Sequence, residues 1–125
     1  MSIDFKSTKG IFQQIADNLC QQMLEAKLKP GDRVPSVRDL AVEFEVNRNT
    51  LLRTFSILED AGIIVNKRGI GFFVAEKALE LIHANEKKTF FLQDLPDFIQ
   101  KVQLLKINET EVQELIEVLK MNSKK

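Results

Sequence analysis

Apolar positions recur along this chain with two different periods, and the switches between them mark its parts. Phe12, Ile15, Leu19 and Met23 follow one another at three- and four-residue steps, which predicts an amphipathic helix from about Gly10 to Ala26. Lys29-Pro30-Gly31-Asp32 breaks that pattern as a turn, and Arg33-Val34 has room for a brief strand pairing. Val37, Leu40, Ala41 and Phe44 form the inner stripe of a second helix, with Ser36 as N-cap and Asp39 placed to reach back in a capping box. Asn47 caps a third helix whose inner face is Leu51, Phe55 and Leu58. Gly62 ends it as a left-handed C-terminal cap. The period then shortens: Ile63-Ile64-Val65 and Phe72-Phe73-Val74 read as two strands joined by Asn66 to Gly71.

From Ala75 the helical step returns through Ala78, Leu79 and Ile82. His83 to Thr89 is polar all round, which suits a solvated helical span between two packed regions. Phe91, Leu95, Phe98, Val102 and Leu105 make a second apolar stripe. Pro96 lies inside it and predicts a kink or a restart, with Asp94 as the cap. Asn108 and Glu111 pair as another capping box before a last helix carrying Val112, Leu115, Ile116 and Leu119. The polar start, Met1 to Lys9, reads as loosely held. The expected fold is mainly α with a small β-hairpin (α+β). Residues 1–75 form a winged helix-turn-helix, and residues 76–125 form a helical region of two helices.

Composition changes this picture little. Apolar residues are 44% and charged residues 29% of the chain, as in an ordinary soluble globular protein. No run approaches the ~18 apolar residues of a membrane span, and the N-terminus has no signal-peptide pattern, so the expected location is the cytoplasm without a membrane partner. Cys20 stands alone and has no internal partner for a disulfide, which fits a reducing compartment. It reads as a small core-edge residue, and His83, the one histidine, as an exposed one. One histidine, one cysteine and no phosphate-binding glycine loop exclude an enzyme and leave no catalytic residue, metal site or cofactor to expect.

Charge matters by position. The net charge is zero, which counts at first against a nucleic-acid partner. Yet between Val46 and Leu58 the only charges are Arg48 and Arg53, and between Ala61 and Val74 they are Lys67 and Arg68. Each window is +2 without one acid. The two elements that would meet phosphate are locally basic.

Turn, capped helix, basic second helix and basic hairpin follow the order of a helix-turn-helix with a wing. The first turn of the third helix holds Asn47, Arg48, Asn49 and Thr50. Arg48 can bond a guanine bidentately or a phosphate, and Asn49 can do the same for an adenine; a good bidentate pair discriminates by roughly 1–3 kcal/mol. Ser36 and Arg38 open the preceding helix, whose free N–H groups favour a phosphate. Arg53 lies one turn beyond Asn49, within reach of backbone or base. In the hairpin, Lys67 and Arg68 bring charge, while Gly69 and Gly71 allow tight turning and close approach to a minor groove.

These words in this order resemble the DNA-binding domain of the GntR family of bacterial transcription regulators. The likeness covers about Ile11 to Ala75, through IxxQIAD, LKPGDRxPSxRxLA, VxRNTxxR, LExxGII and RGxGxFVA. It implies operator binding as a dimer, typically as a repressor. It also implies base or phosphate contacts from Ser36, Arg38, Asn47, Arg48, Asn49, Thr50, Arg53, Arg68 and Gly69. One departure is visible: where members often carry two consecutive basic residues, this chain has Leu52 before Arg53. Such an exchange trades a phosphate or guanine contact for an apolar one, as with a thymine methyl. The short tail resembles the YtrA subfamily, in which two helices pair the subunits.

The tail's own residues point the same way. Phe91, Leu95, Phe98, Val102, Leu105, Leu115 and Leu119 leave an apolar face with little of the chain to cover it, and a second copy is the simplest cover. The leading reading is a dimeric repressor of a palindromic double-stranded operator. An unidentified small-molecule effector would act through the polar helix Ala84 to Thr89. The alternative is a winged helix used for protein–protein contact, which would not need the basic first turn or wing tip.

Overall fold

Helix α1 (Ile11–Leu24) opens a structure whose coordinates, those of a computed structural model, describe residues 10–123. The polar start, Met1 to Lys9, and the last two lysines of the tail lie outside the described residues. Ile15, Ala16, Leu19 and Met23 are buried on one face of α1. The helix ends before Ala26, in a Schellman turn. The Lys27 N–H donates to the Gln22 carbonyl at 2.8 Å and the Ala26 N–H to the Met23 carbonyl at 3.1 Å. Ala26 takes the left-handed conformation there, at φ 62°, so no glycine announced the stop.

In α2 (Val37–Phe44), Ser36 Oγ accepts from the Asp39 N–H at 3.1 Å, and this half of the expected capping box is the one that forms. The helix closes on a left-handed Glu45, with the Val46 N–H donating to the Ala41 carbonyl at 3.0 Å. Asn47 then caps α3 (Arg48–Asp60) by accepting from the Thr50 N–H at 2.9 Å. Gly62, at φ 78°, ends α3 as the pattern of residues predicts. The Ile63 N–H bonds the Leu58 carbonyl at 3.0 Å in that cap.

That bond sets the start of the hairpin. Ile63 belongs to the helix cap, so β1 (Ile64–Lys67) begins at Ile64, and β2 (Gly71–Val74) pairs with it antiparallel from Ile64↔Val74 to Lys67↔Gly71. The connection shortens to Arg68-Gly69-Ile70. The Ile70 N–H donates to the Lys67 carbonyl at 2.9 Å and Gly69 has φ 81°, a type II turn that needs a residue tolerant of positive φ. The expected strand pairing at Arg33-Val34 also forms. Arg33 bridges Phe73, and the outer edge of β2 is covered by bonds from Val34 N–H to the Phe72 carbonyl and from Val74 N–H to the Asp32 carbonyl, each 2.8 Å.

The core gathers Val34, Leu40, Leu51, Leu58, Ile64 and Val74 with the inner face of α1, all nearly sealed from water. Each such side chain stabilises the fold by roughly 1.5–3 kcal/mol. Helix α4 (Ala78–Thr89) adds Ala78 and Ile82 to the same core. The first compact unit therefore runs to Asn85, past the boundary expected after Ala75.

The second unit starts at Glu86. It holds the end of α4, a π-helical turn (Phe90–Asp94), α5 (Leu95–Leu104) and α6 (Glu109–Ser123). The expected restart capped by Asp94 does not occur: Asp94 is helical, at φ −69° and ψ −43°, and its side chain makes no cap bond. Pro96 in the first turn of α5 lacks a donor and crowds the carbonyl four residues back, and a wider turn relieves both. Asn108 and Glu111 form both halves of their capping box, at 3.0 and 2.9 Å. None of the described residues from Glu86 onward is fully buried.

Candidate nucleic-acid interface

The Asn47 cap fixes which side chains open α3 to solvent. Asn47 Oδ1 receives both the Thr50 N–H and, at 3.2 Å, the Thr50 hydroxyl, which leaves the Asn47 amide N–H groups as its outward donors. Arg48 and Asn49 follow in the first turn, both exposed. They share a surface concavity of about 610 Å³ with Arg38, Asn47, Ala41, Val42, Glu45 and Val46. The turn between α2 and α3 thus brings together Arg38, Asn47, Arg48 and Asn49, four of the residues singled out in the sequence. Two flat, bidentate guanidinium groups and two amides around one open concavity match the donors and acceptors of base edges and phosphates.

The other candidates stand apart from that concavity. Ser36 lines a second one, of about 380 Å³, with Arg33, Val34, Pro35 and Asp39. Thr50 is half-buried, its hydroxyl engaged with the cap. The Arg53 guanidinium lies over the Phe12 ring at 4.2 Å, a cation–π contact with the first turn of α1. In the wing, Lys67 folds its ammonium over the Phe73 ring at 4.4 Å, while Arg68 and Gly69 are exposed at the turn. Gly71, at φ 141°, faces a cation: a Cβ there would stand 3.1 Å from Arg33 Nε and 3.2 Å from Arg33 Nη2.

Two residues of this surface escaped the motif reading, and a third was matched without being read as a contact. Val42 is 75% exposed beside Arg48, and its place one helical turn after Arg38 was the available signal. Ile70, 57% exposed, sits on the wing turn, where an apolar residue flanked by glycines has no core to serve. Arg33 stood within the LKPGDRxPSxRxLA match but was read there only as a strand residue, because its approach to Gly71 is a long-range contact. Leu52, noticed in the sequence, is 54% exposed on α3. Among the described residues, no helix is long and apolar enough to cross a membrane.

Comparison with known proteins bears on this surface. The family model for bacterial regulatory proteins of the gntR family matches residues 11–74, the span of the caps, helices and wing described above. The HTH-type transcriptional regulator YhcF of Bacillus subtilis is 38% identical over 91% of this chain and 93% of its own length. The HTH-type transcriptional repressor YtrA of the same organism is 38% identical over 62% of this chain and 60% of its own length. Among solved structures, a GntR-family protein from Bacteroides thetaiotaomicron superposes with a TM-score of 0.73, at 35% identity, covering 91% of this chain and 99% of its own.

Proposed function

This chain belongs to the gntR family of bacterial regulatory proteins, and from that premise we propose that it is a dimeric repressor reading a palindromic operator. It is a DNA-binding transcription regulator and not an enzyme. The observation that carries the finer reading is the shared concavity of Arg38, Asn47, Arg48 and Asn49 at the start of α3. In this reading α3 enters the major groove and its first turn reads bases. The start of α2 at Ser36 and Arg38 takes a phosphate, and the wing at Lys67, Arg68 and Gly69 meets the adjacent minor groove.

A second copy supplies the other half-site. The apolar side chains of α5 and α6, exposed in the second unit, support pairing there, as a two-fold dimer on a two-fold operator requires. A small-molecule effector acting on α4 would regulate such a dimer, and the cytoplasm is where it would work. A winged helix devoted to protein contact finds no support in the comparisons. Selecting bound duplexes from a random DNA pool tests the proposal: a recovered palindrome with a fixed half-site spacing is expected. Recovery of no enriched sequence, or of single unpaired half-sites, would overturn it.

A further inference from the structure

The wing sheet has two unlike faces. Residues opposite one another in an antiparallel pair share a face, and so do alternate residues along a strand. Ile64, Phe72, Val74 and Val34 turn one face to the core. The other face carries Arg33 and Lys67 on either side of Phe73, since Arg33 bridges Phe73 and Lys67 lies over its ring. On that face Arg33 does not end at its own strand partner. Its head group reaches along β2 to Gly71, close to the turn that bears Arg68, and fills the space a side chain at Gly71 would take. Gly71 is thereby the residue that lets Arg33 extend toward the wing tip.

At its other side Arg33 shares a concavity with Ser36, the first residue of the α2 start. Arg33 thus lies in the seam between α2 and the wing. Asp39 lines the same concavity, yet no ion pair joins it to Arg33 among the described residues. Arg33 is exposed, and its guanidinium lies alongside Gly71, where no side chain stands in its way. A duplex that offers its major groove to α3 and its minor groove to the wing must run the intervening phosphate strand across this seam. We propose that Arg33 is a DNA-phosphate contact, a cation of the interface that belongs to neither the recognition helix nor the wing turn. The inference rests on the DNA-binding reading above.

A phosphate contact has a signature that a structural role lacks. Each phosphate neutralised contributes about −0.9 to the slope of log K against log salt on duplex DNA. Binding of a labelled mixed-sequence duplex and of the selected duplex is measured for the full chain and for Arg33→Gln at several salt concentrations. We expect the slope to become shallower by about 0.9 per bound subunit, about 1.8 for a dimer, on both duplexes, with the ratio of the two affinities unchanged, and Arg33→Lys to keep the original slope. On the unsubstituted chain, either duplex should protect Arg33 from phenylglyoxal, read by mass spectrometry; this needs no variant to fold. An unchanged slope in a folded Arg33→Gln, or equal modification with and without DNA, overturns the assignment to Arg33 alone. A wild-type chain with no salt-dependent binding overturns the DNA reading along with it.

Discussion

The hydroxyl of Thr54, fully buried on α3, lies 3.1 Å from the backbone carbonyl oxygen of Phe12 in the first turn of α1. The same hydroxyl is 2.9 Å from the Thr50 carbonyl of its own helix, so its proton is shared between two acceptors. One link thereby fixes the helix that carries Arg48 and Asn49 against the helix that begins the core.

Replacing Thr54 by Val keeps the shape and removes the donor. Both carbonyls belong to helices, so the loss should be that of a single neutral hydrogen bond, about 1 kcal/mol. Urea denaturation of Thr54→Val should show a lower midpoint at unchanged slope. A variant as stable as the wild type would mean that the link to Phe12 is structurally idle.

Ala26 offers the opposite experiment. It holds a left-handed conformation at φ 62° in the cap of α1, where an L side chain costs about 1–2 kcal/mol. Glycine removes that strain, offset by about 0.5–1 kcal/mol of extra chain entropy in the unfolded state. Ala26→Gly should therefore stabilise by about 0.5–1 kcal/mol, a rise of roughly 2–6 °C in the unfolding midpoint. A lower midpoint would show that the cap is not strained.

Ala26 also shows where the sequence stops being legible. The caps at Ser36, Asn47, Asn108 and Gly62 could be read because each is a local rule with a residue type attached. Ala26, Glu45 and Lys106 are left-handed too, in caps closed by backbone bonds from Lys27, Val46 and Ile107, but their residue types do not advertise that conformation. Pro96 announced a disturbance without saying that a π-helical turn rather than a new cap would absorb it. In the candidate interface the exposed first turn of α3 followed from its cap. The stacking of Arg53 on Phe12 and the approach of Arg33 to Gly71 did not, since each joins residues distant in sequence.

Leu52 supplies a specificity test. It is more than half exposed on α3, one turn after Arg48, and it carries no charge. Leu52→Arg should steepen the salt slope by about 0.9 per half-site if it gains a phosphate, or shift one position of the selected operator toward guanine. Arg48→Ala, by contrast, should lose about 1–3 kcal/mol of sequence discrimination while the chain still assembles. Parallel selections from a random pool would check both. Identical operators from the wild type and the two variants would remove α3 from base reading.

The second unit makes the strongest demand on a partner. Phe98 is 48% exposed on α5 and Leu119 is 60% exposed on α6, and no described residue of the unit is fully buried. If two copies bury the half of each side chain still exposed, each contributes about 0.8–1.5 kcal/mol, half the value for full burial. In a two-fold interface every substitution occurs twice, so losing Phe98 costs about 1.5–3 kcal/mol, roughly ten- to a hundredfold in the dimer Kd. A charge at that position adds to the loss. Sedimentation equilibrium of Phe98→Glu should thus give a monomer at concentrations where the wild type is a dimer. Its affinity for a palindromic duplex should fall while its affinity for a single half-site stays the same. A wild type that sediments as a monomer, or a Phe98→Glu chain that remains dimeric, would place the pairing surface elsewhere and leave the exposed face of α5 unexplained.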